Sequence, residues 1–331
     1  MRLAYVCYWD LDGDDGVSRK IRSQVEHWRE AGHEVMLEAI RPAGGVERVR
    51  RTAAGCAAVR KFAPDVLYLR YDLFAPSVWS LARRFTSAVE LNSDDRAEWL
   101  LRSRAAAAYN EVNRRALLHA AAGLVCVTEE LAAGRRSALV LGNGLDPRDI
   151  PELALPANVR PRIAFIGSPR QPWHGVDKIV ELGRRLPELD IDVVGPRDEE
   201  LRGAPPNVFA HGVLPPSGYR PVLARADAAV GTLALHRKQM REASPLKVRE
   251  YLLSSVPTMI AYDDTDLQGI DAPWLLRLPN VESNVRDNVA AIWEFVDRAR
   301  GLRVPRSEVE HRLDSRVKEQ RRLEYLERLR R

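Results

Sequence analysis

Short apolar runs alternate with longer amphipathic stretches along this chain, and the alternation halts once and then restarts. "LAYVCYW" (3–9), "GHEVMLEAI" (32–40), "DVLYLRY" (65–71), 87–91 and "GLVCVT" (123–128) read as strands. Helical spacing falls between them at 17–31, 46–61, 76–84 and about 105–121. Runs apolar throughout suit strands covered on both faces, and intervening helices of this length imply right-handed parallel βαβ units. Residues 147–161, "PRDIPELALPANVRP", hold four prolines and no period, so they read as a linker. The pattern then resumes with strands at 162–168, 191–195, 207–213, 227–234 and 257–262, and helices near 175–186 and 245–255. The expectation is an α/β chain of two Rossmann-like domains, 1–146 and 162–305, joined by 147–161 and followed by a helical tail, 306–331. Open parallel sheets bind ligands at the carboxyl ends of their strands, so two of them facing each other would enclose a central cleft.

Length agrees with two domains, since 331 residues exceed one comfortable core. Fifty-one basic against 46 acidic residues leave a net charge of +5, too mild to argue for a nucleic-acid partner. Cys7, Cys56 and Cys126 show neither metal spacing nor a CxxC pair and read as reduced core thiols. The first apolar run is too short for a signal peptide or a membrane span, so a cytoplasmic protein is expected.

"WDLDGDDGV" (9–17) places four aspartates in the first strand-to-helix turn. A calcium loop beginning at Asp10 would need glycine sixth and glutamate twelfth, where this chain has Asp15 and Ile21. Four carboxylates also repel a phosphate. The turn is therefore expected to bring the Gly16 amide to a ligand while Asp12, Asp14 or Asp15 faces a hydroxyl-rich or amine-bearing second substrate.

The second half carries the more specific chemistry. Its first three strands run into "FIGSPRQPWHG", "VVGP" and "AHGVLP", placing Gly167, Gly195 and the Gly212–Val213 pair at successive strand ends. Backbone without side chains lets a ligand approach closely there. In "REASPLKVREYLLSSVP" (241–257), Glu242 precedes a helix beginning near Pro245, and Glu250 lies within it. A helix N-terminus favours anions, and Lys247 in the first turn adds charge, which suits a diphosphate. Each carboxylate can accept two hydroxyl hydrogen bonds, as a sugar diol requires.

Together "GNGLD" (142–146), "GSPRQPWHGVDKIVEL" (167–182), "IDVVGP" (191–196) and "EASPLKVREYLLSSVP" (242–257) resemble the retaining, family-4 type of glycosyltransferase (glycosyl transferases group 1) with the GT-B fold. The resemblance covers nearly the whole chain in order. It implies that Glu250 holds the donor's ribose and that Glu242 contacts the transferred sugar. Gly167, Gly195, Val213 and Gly16 then lie along the nucleotide-sugar donor. It also implies an N-terminal domain on the acceptor side, a C-terminal domain on the donor side, and a last helix that returns to the first domain.

Two departures stand out. The family's diphosphate loop carries an arginine and a lysine; here it offers Arg170, with His174 where the lysine would fall, so Arg170 and Lys247 are assigned to the diphosphate with His174 as a further candidate. A catalytic-site histidine usual after the fourth strand is replaced in "VELNSDDRAEW" by Asn92, which is assigned to the donor sugar, followed by Asp94 and Asp95 as acceptor contacts or helix caps.

The resulting expectation is sugar transfer with retention from a nucleotide diphosphate donor to a glycan, lipid-linked or small-molecule acceptor, in bacterial surface-polysaccharide or natural-product glycoside synthesis. No cofactor and no metal is strictly required. A sugar-nucleotide epimerase of the same fold and a non-catalytic sugar-nucleotide-binding scaffold are the alternatives. The Arg-rich helix 46–61 and the tail 312–331 read either as solvated faces or as a peripheral contact with an anionic membrane.

Overall fold

The computed structural model describes residues 1–13, 15–135 and 137–330. The chain divides into two compact units, Met1–Gly142 with Ser315–Arg331, and Asn143–Asp314.

The first unit runs β1 (Arg2–Cys7), α1 (Gly16–Glu30), β2 (Glu34–Ala39), α2 (Gly45–Phe62), β3 (Val66–Arg70), α3 (Pro76–Arg84), β4 (Thr86–Leu91), α4 (Asp95–Arg102), α5 (Arg104–Ala120), β5 (Gly123–Cys126), α6 (Glu129–Ala132) and β6 (Ala138–Val140). Its six strands are parallel in the order β2-β1-β3-β4-β5-β6. Leu3, Tyr5 and Cys7 meet Ile21, Val25 and Trp28 of α1 in one core, which the C-terminal helix Ser315–Arg330 completes with Leu323 and Leu326. Trp28 Nε1 donates to Glu319 at 2.9 Å, and Arg322 donates to the Tyr68 hydroxyl at 2.6 Å. All three cysteines are buried and free.

The second unit runs β7 (Arg162–Ile166), α7 (Val176–Arg185), β8 (Asp190–Val194), β9 (Val208–Ala210), α8 (Pro216–Ala224), β10 (Ala228–Val230), β11 (Glu242–Ala243), α9 (Leu246–Leu253), β12 (Thr258–Ile260), β13 (Asp263–Asp264), β14 (Leu275–Arg277), α10 (Asn284–Asp287), α11 (Val289–Ala299) and α12 (Arg306–Leu313). The main sheet is parallel in the order β14-β12-β10-β7-β8-β9, with β11 and β13 forming a separate parallel pair. Its core joins Ile163, Phe165, Ile191 and Val193 to Ile179 and Leu182 of α7 and to Ile292 and Phe295 of α11.

The tail consists of two helices. Arg306–Leu313 belongs to the second unit, and only Ser315–Arg330 packs on the first. Between them the backbone of Asp314 is extended and forms a bridge with Leu145. The proline-rich stretch is tied down as well. Ile150 is buried, and the Arg303 guanidinium donates to the carbonyls of Leu153 and Ala154.

Candidate functional site

The site of the second unit is built on the ends of β7, β8 and β9, which are neighbours in the sheet. Gly167 N donates to Val194 O at 2.9 Å and Gly195 N donates to Gly212 O at 2.7 Å, so the three strand ends are stitched together by backbone. Gly195 has φ +102°, and a β-carbon there would lie 1.7 Å from the Gly167 carbonyl oxygen. Only glycine fits, and the result is a strip of bare backbone where a ligand can lie close.

Beside this strip lie His174 and Lys247. His174 Nδ1 accepts from Ser168 N at 3.3 Å, and its ring meets Phe165 edge to face with centroids 6.2 Å apart. Burial, reinforced by the Lys247 and Lys238 cations, pushes its pKa well below the usual value. The imidazole is therefore neutral near pH 7 with its proton on Nε2, a hydrogen-bond donor rather than a cation.

Lys247 is the second residue of α9. Pro245 occupies the N-cap position, and no side chain caps the helix. The Lys247 ammonium sits 4.3 Å above the centre of the Phe165 ring, shielded from solvent and without a hydrogen-bond partner. Burial brings its pKa down to about 7. A cation held this way is stabilised by the ring quadrupole but lacks the anion that would repay its desolvation.

A little over one helical turn from Pro245, Glu250 is buried, its Oε2 accepting from the Tyr219 hydroxyl at 2.8 Å with Arg220 Nε 3.7 Å from Oε1. Tyr219 itself packs on Val194 and Ile166, which brings this carboxylate to the same strand ends. The helix is fixed by Arg249, fully buried, which donates to Asp264 at 2.5 and 2.7 Å, to Asp266 at 2.5 Å and to Asn143 O at 3.1 Å. Asn143 of the "GNGLD" stretch holds the preceding loop, its N donating to Ser244 Oγ at 2.7 Å and its Nδ2 to Ser244 O at 2.6 Å. Glu242 opens β11 and is half-buried. It lines a cavity of about 470 Å³ with Asp263, Gln268, Asp271 and Arg277.

Arg170 is placed elsewhere. Its backbone is left-handed at φ +58°, its N donates to Glu200 at 3.0 Å, and its exposed guanidinium lies 3.8 Å from Glu199. Glu200 thus holds the backbone of this turn, while the largely exposed guanidinium lies near Glu199. Val213 lies just past β9 and is exposed.

In the first unit, Gly16 begins α1 and Asp15 caps it. Asp15 Oδ1 accepts from Val17 N and Ser18 N, and Oδ2 accepts from Ser18 Oγ at 2.6 Å and Trp9 Nε1 at 3.3 Å. Against partial burial, these bonds lower its pKa. A carboxylate so occupied serves as the helix cap. Asp94 caps α4 in the same way through Arg96 N and Ala97 N. Asp12 is exposed and bonded to Arg41, and Asp14 lies outside the described residues.

Asn92 Oδ1 accepts from Lys20 Nζ at 2.9 Å, while its buried Nδ2 has no partner. Lys20 also bonds Glu90 at 2.9 Å within a buried cluster completed by Arg70 and Arg322. Burial lowers the Lys20 pKa to about 8 against the pull of Glu90. Sequence reasoning missed this cluster, Tyr219 and Arg249. A glutamate within the apolar run "AVEL" was the available signal for the first. No group of His, Cys, Asp and Glu able to hold a metal ion occurs among the described residues.

No protein-family model matches the chain, and a search of curated proteins finds no match. Solved structures do match. The sucrose-phosphate synthase of Thermosynechococcus elongatus aligns with 99% of this chain and 98% of its own at 15% identity and a TM-score of 0.79. Anabaena HepE in complex with UDP and glucose aligns over 99% of both chains at 13% identity and a TM-score of 0.65. The lipopolysaccharide outer core galactosyltransferase WaaB aligns over 98% and 99% at 10% identity and 0.65. Two six-stranded parallel sheets in one chain, matched end to end by such structures, give this protein the GT-B fold.

Proposed function

We propose that the protein is a glycosyltransferase that moves a sugar from a nucleotide diphosphate donor to an acceptor hydroxyl with retention of configuration. The observation that carries this reading is the Lys247 ammonium, shielded and unpaired at an uncapped helix N-terminus beside the bare glycine ends of β7 and β8. A diphosphate supplies the missing anion, and the helix dipole and the His174 Nε2–H add to its stabilisation as it departs. Negative charge develops there as the sugar–phosphate bond breaks, so these groups act most strongly in the transition state. The departing diphosphate can take the acceptor's proton, so no separate general base is invoked.

Glu250, braced by Tyr219, is assigned to the ribose hydroxyls, and Glu242 to hydroxyls of the transferred sugar. Asn92 Nδ2, oriented by the Lys20 bond to its Oδ1, is assigned as a donor towards that sugar. The first unit is assigned to the acceptor, with Asp12 the acidic candidate there whose carboxylate does not cap a helix. The neighbours include HepE with UDP and glucose and an α-glucosyltransferase with UDP-glucose, which supports the donor class.

A non-catalytic sugar-nucleotide-binding scaffold is the second reading, favoured by the position of the Arg170 guanidinium beside Glu199. Thermal stabilisation by a panel of UDP-, GDP- and dTDP-sugars, followed by turnover with the best donor, separates the two. Glu242→Ala is expected to abolish transfer while donor binding persists, and Glu250→Ala to weaken donor binding. Donor stabilisation without any turnover supports the scaffold; parental transfer by both variants overturns the site.

A further inference from the structure

The helices of the first unit are distributed unequally over its sheet. α1 and the C-terminal helix pack together, whereas α2, α3 and α5 lie side by side with α4 against α5. Strand order and right-handed crossovers explain this: the chain moves one way from β1 to β2 and the other way from β2 through β5.

The two helical layers differ in what they show to solvent. The exposed residues of α1 mix Arg22 and Arg29 with Glu26 and Glu30, and those of the C-terminal helix mix Arg316, Arg321, Arg328 and Arg330 with Glu324 and Glu327. Both faces carry charges of the two signs, and among the described residues neither exposes a large apolar side chain. On α2, α3, α4 and α5 no exposed residue is acidic. These four helices hold twelve Lys and Arg against four Asp and Glu, a net +8 in a chain whose total is +5. Asp95 is buried and Glu47, Glu98 and Glu111 are partly exposed, and all four are paired with arginines of the same layer.

The same layer exposes apolar groups. Six of the eleven exposed large apolar side chains among the described residues lie here: Val46, Val49, Leu100, Leu101, Tyr109 and Val112. Val46 and Val112 are 84% and 79% exposed. On α5 the outward row is Ala105, Ala108, Tyr109, Val112 and Ala116, bracketed by exposed Arg104 and Arg115, so its solvent face is apolar where a solvated helix would be polar. Arg48 joins α2 to α4, stacking over Tyr8 and Trp99 and pairing with Asp72 at 2.9 Å.

We propose that the α2–α5 layer of the first unit is a docking surface for an anionic lipid bilayer. Exposed arginines with no exposed acidic residue match anionic headgroups, and the protruding leucines and valines enter the interface between headgroups and acyl chains. A second copy of the chain is disfavoured because two faces of net +8 repel. A nucleic acid is a poorer match, because Leu, Val and Ala offer it no hydrogen bonds.

The test is co-sedimentation of the full chain with vesicles of phosphatidylcholine alone or mixed with phosphatidylglycerol, at low and moderate salt. Binding is expected only to the mixed vesicles and to weaken with salt. Replacing Arg102, Arg104 and Arg115 together by Gln should lower the partition roughly fivefold per charge, on the order of a hundredfold in all. Replacing Leu100, Leu101 and Val112 by Ser should lower it more than about tenfold. Arg321→Gln/Arg328→Gln, on the other layer, should leave it unchanged, and melting curves check that every variant is folded. The proposal is overturned by absence of vesicle binding, by equal binding to neutral vesicles, by an unaltered serine variant, or by arginine-dependent binding to duplex DNA instead. None of these outcomes depends on the donor site.

Discussion

Replacing Lys247 by methionine separates a binding charge from a structural side chain. The parent ammonium is shielded, unpaired and titrates near pH 7, while His174 titrates well below the usual histidine value and stays neutral above pH 7. The diphosphate of a nucleotide-sugar does not titrate between pH 7 and 9, so Lys247 is the group against the diphosphate expected to change charge there; Lys20, at about 8, titrates in the same range in parent and variant alike. If the diphosphate binds the protonated lysine alone, the competent fraction falls from about one half at pH 7 to about 1% at pH 9, and donor affinity falls about fiftyfold. This lies within the worth of one charge-assisted contact, about 1.5–3 kcal/mol or roughly 10- to 150-fold. The variant should bind donor weakly and lose the part of this pH dependence that Lys247 supplies.

Stability should move the other way. The folded pKa lies below that of an unfolded lysine, about 10.4, so between pH 7 and that value the unfolded chain binds more protons and stability rises with pH. Below pH 7 the full cost of burying the charge is present in the parent and absent in the variant. Ligand-free Lys247→Met should therefore melt higher than the parent at pH 6 to 7, by a margin that narrows towards pH 9. Titration calorimetry of the best donor across this range, with melting curves of the free proteins, reads both effects. Equal pH slopes of donor affinity in parent and variant would refute the reasoning.

Three further outcomes follow from the packing. Gly195→Ala forces a β-carbon onto the Gly167 carbonyl at a left-handed backbone position, and should cost on the order of 3 kcal/mol or more and lower Tm by about 10 °C with loss of donor binding, read by melting curves. Arg322→Met leaves Glu90 and Glu319 short of a buried partner and should destabilise the first unit by about 3–5 kcal/mol, measured by urea unfolding. Although burial opposes it, Lys20, Arg70 and Arg322 hold the Glu90 carboxyl below the usual range, so its contribution is complete above about pH 4.3 and lost in acid; in the variant, whose Glu90 is less depressed, that loss should be smaller and complete at higher pH. Asp15→Ala should cost about 1 kcal/mol as a lost helix cap, whereas Asp15→Asn, which keeps the cap, should leave acceptor KM unchanged in steady-state assays.

The interior strands were legible because they are covered on both faces and must be apolar throughout. β6 and β14 were not read from the sequence: each is a three-residue strand at a sheet edge, too short and too little buried to show a pattern. α8 was hidden by Pro216 and Pro221, which interrupt any helical signal. At the site, legibility follows the range of the interaction. A glycine at a strand end or a lysine in a helix's first turn is a local fact, and Gly195 and Lys247 were named from their neighbours in the chain. The fate of a side chain that must choose among distant partners is not local. Arg170 and Lys247 are equally cationic in the sequence, yet the exposed guanidinium of the first lies beside Glu199, about thirty positions downstream, while Phe165 shelters the second and leaves it unpaired. The same holds for Asp15 and Asp12, which stand three residues apart. One spends both carboxylate oxygens on the helix it precedes, and the other is exposed and bonded to Arg41. Residue type therefore set which groups were able to meet a ligand. Burial and local competition decide which of them still have a charge to offer, and by that criterion Lys247 is the cation on which donor binding should turn.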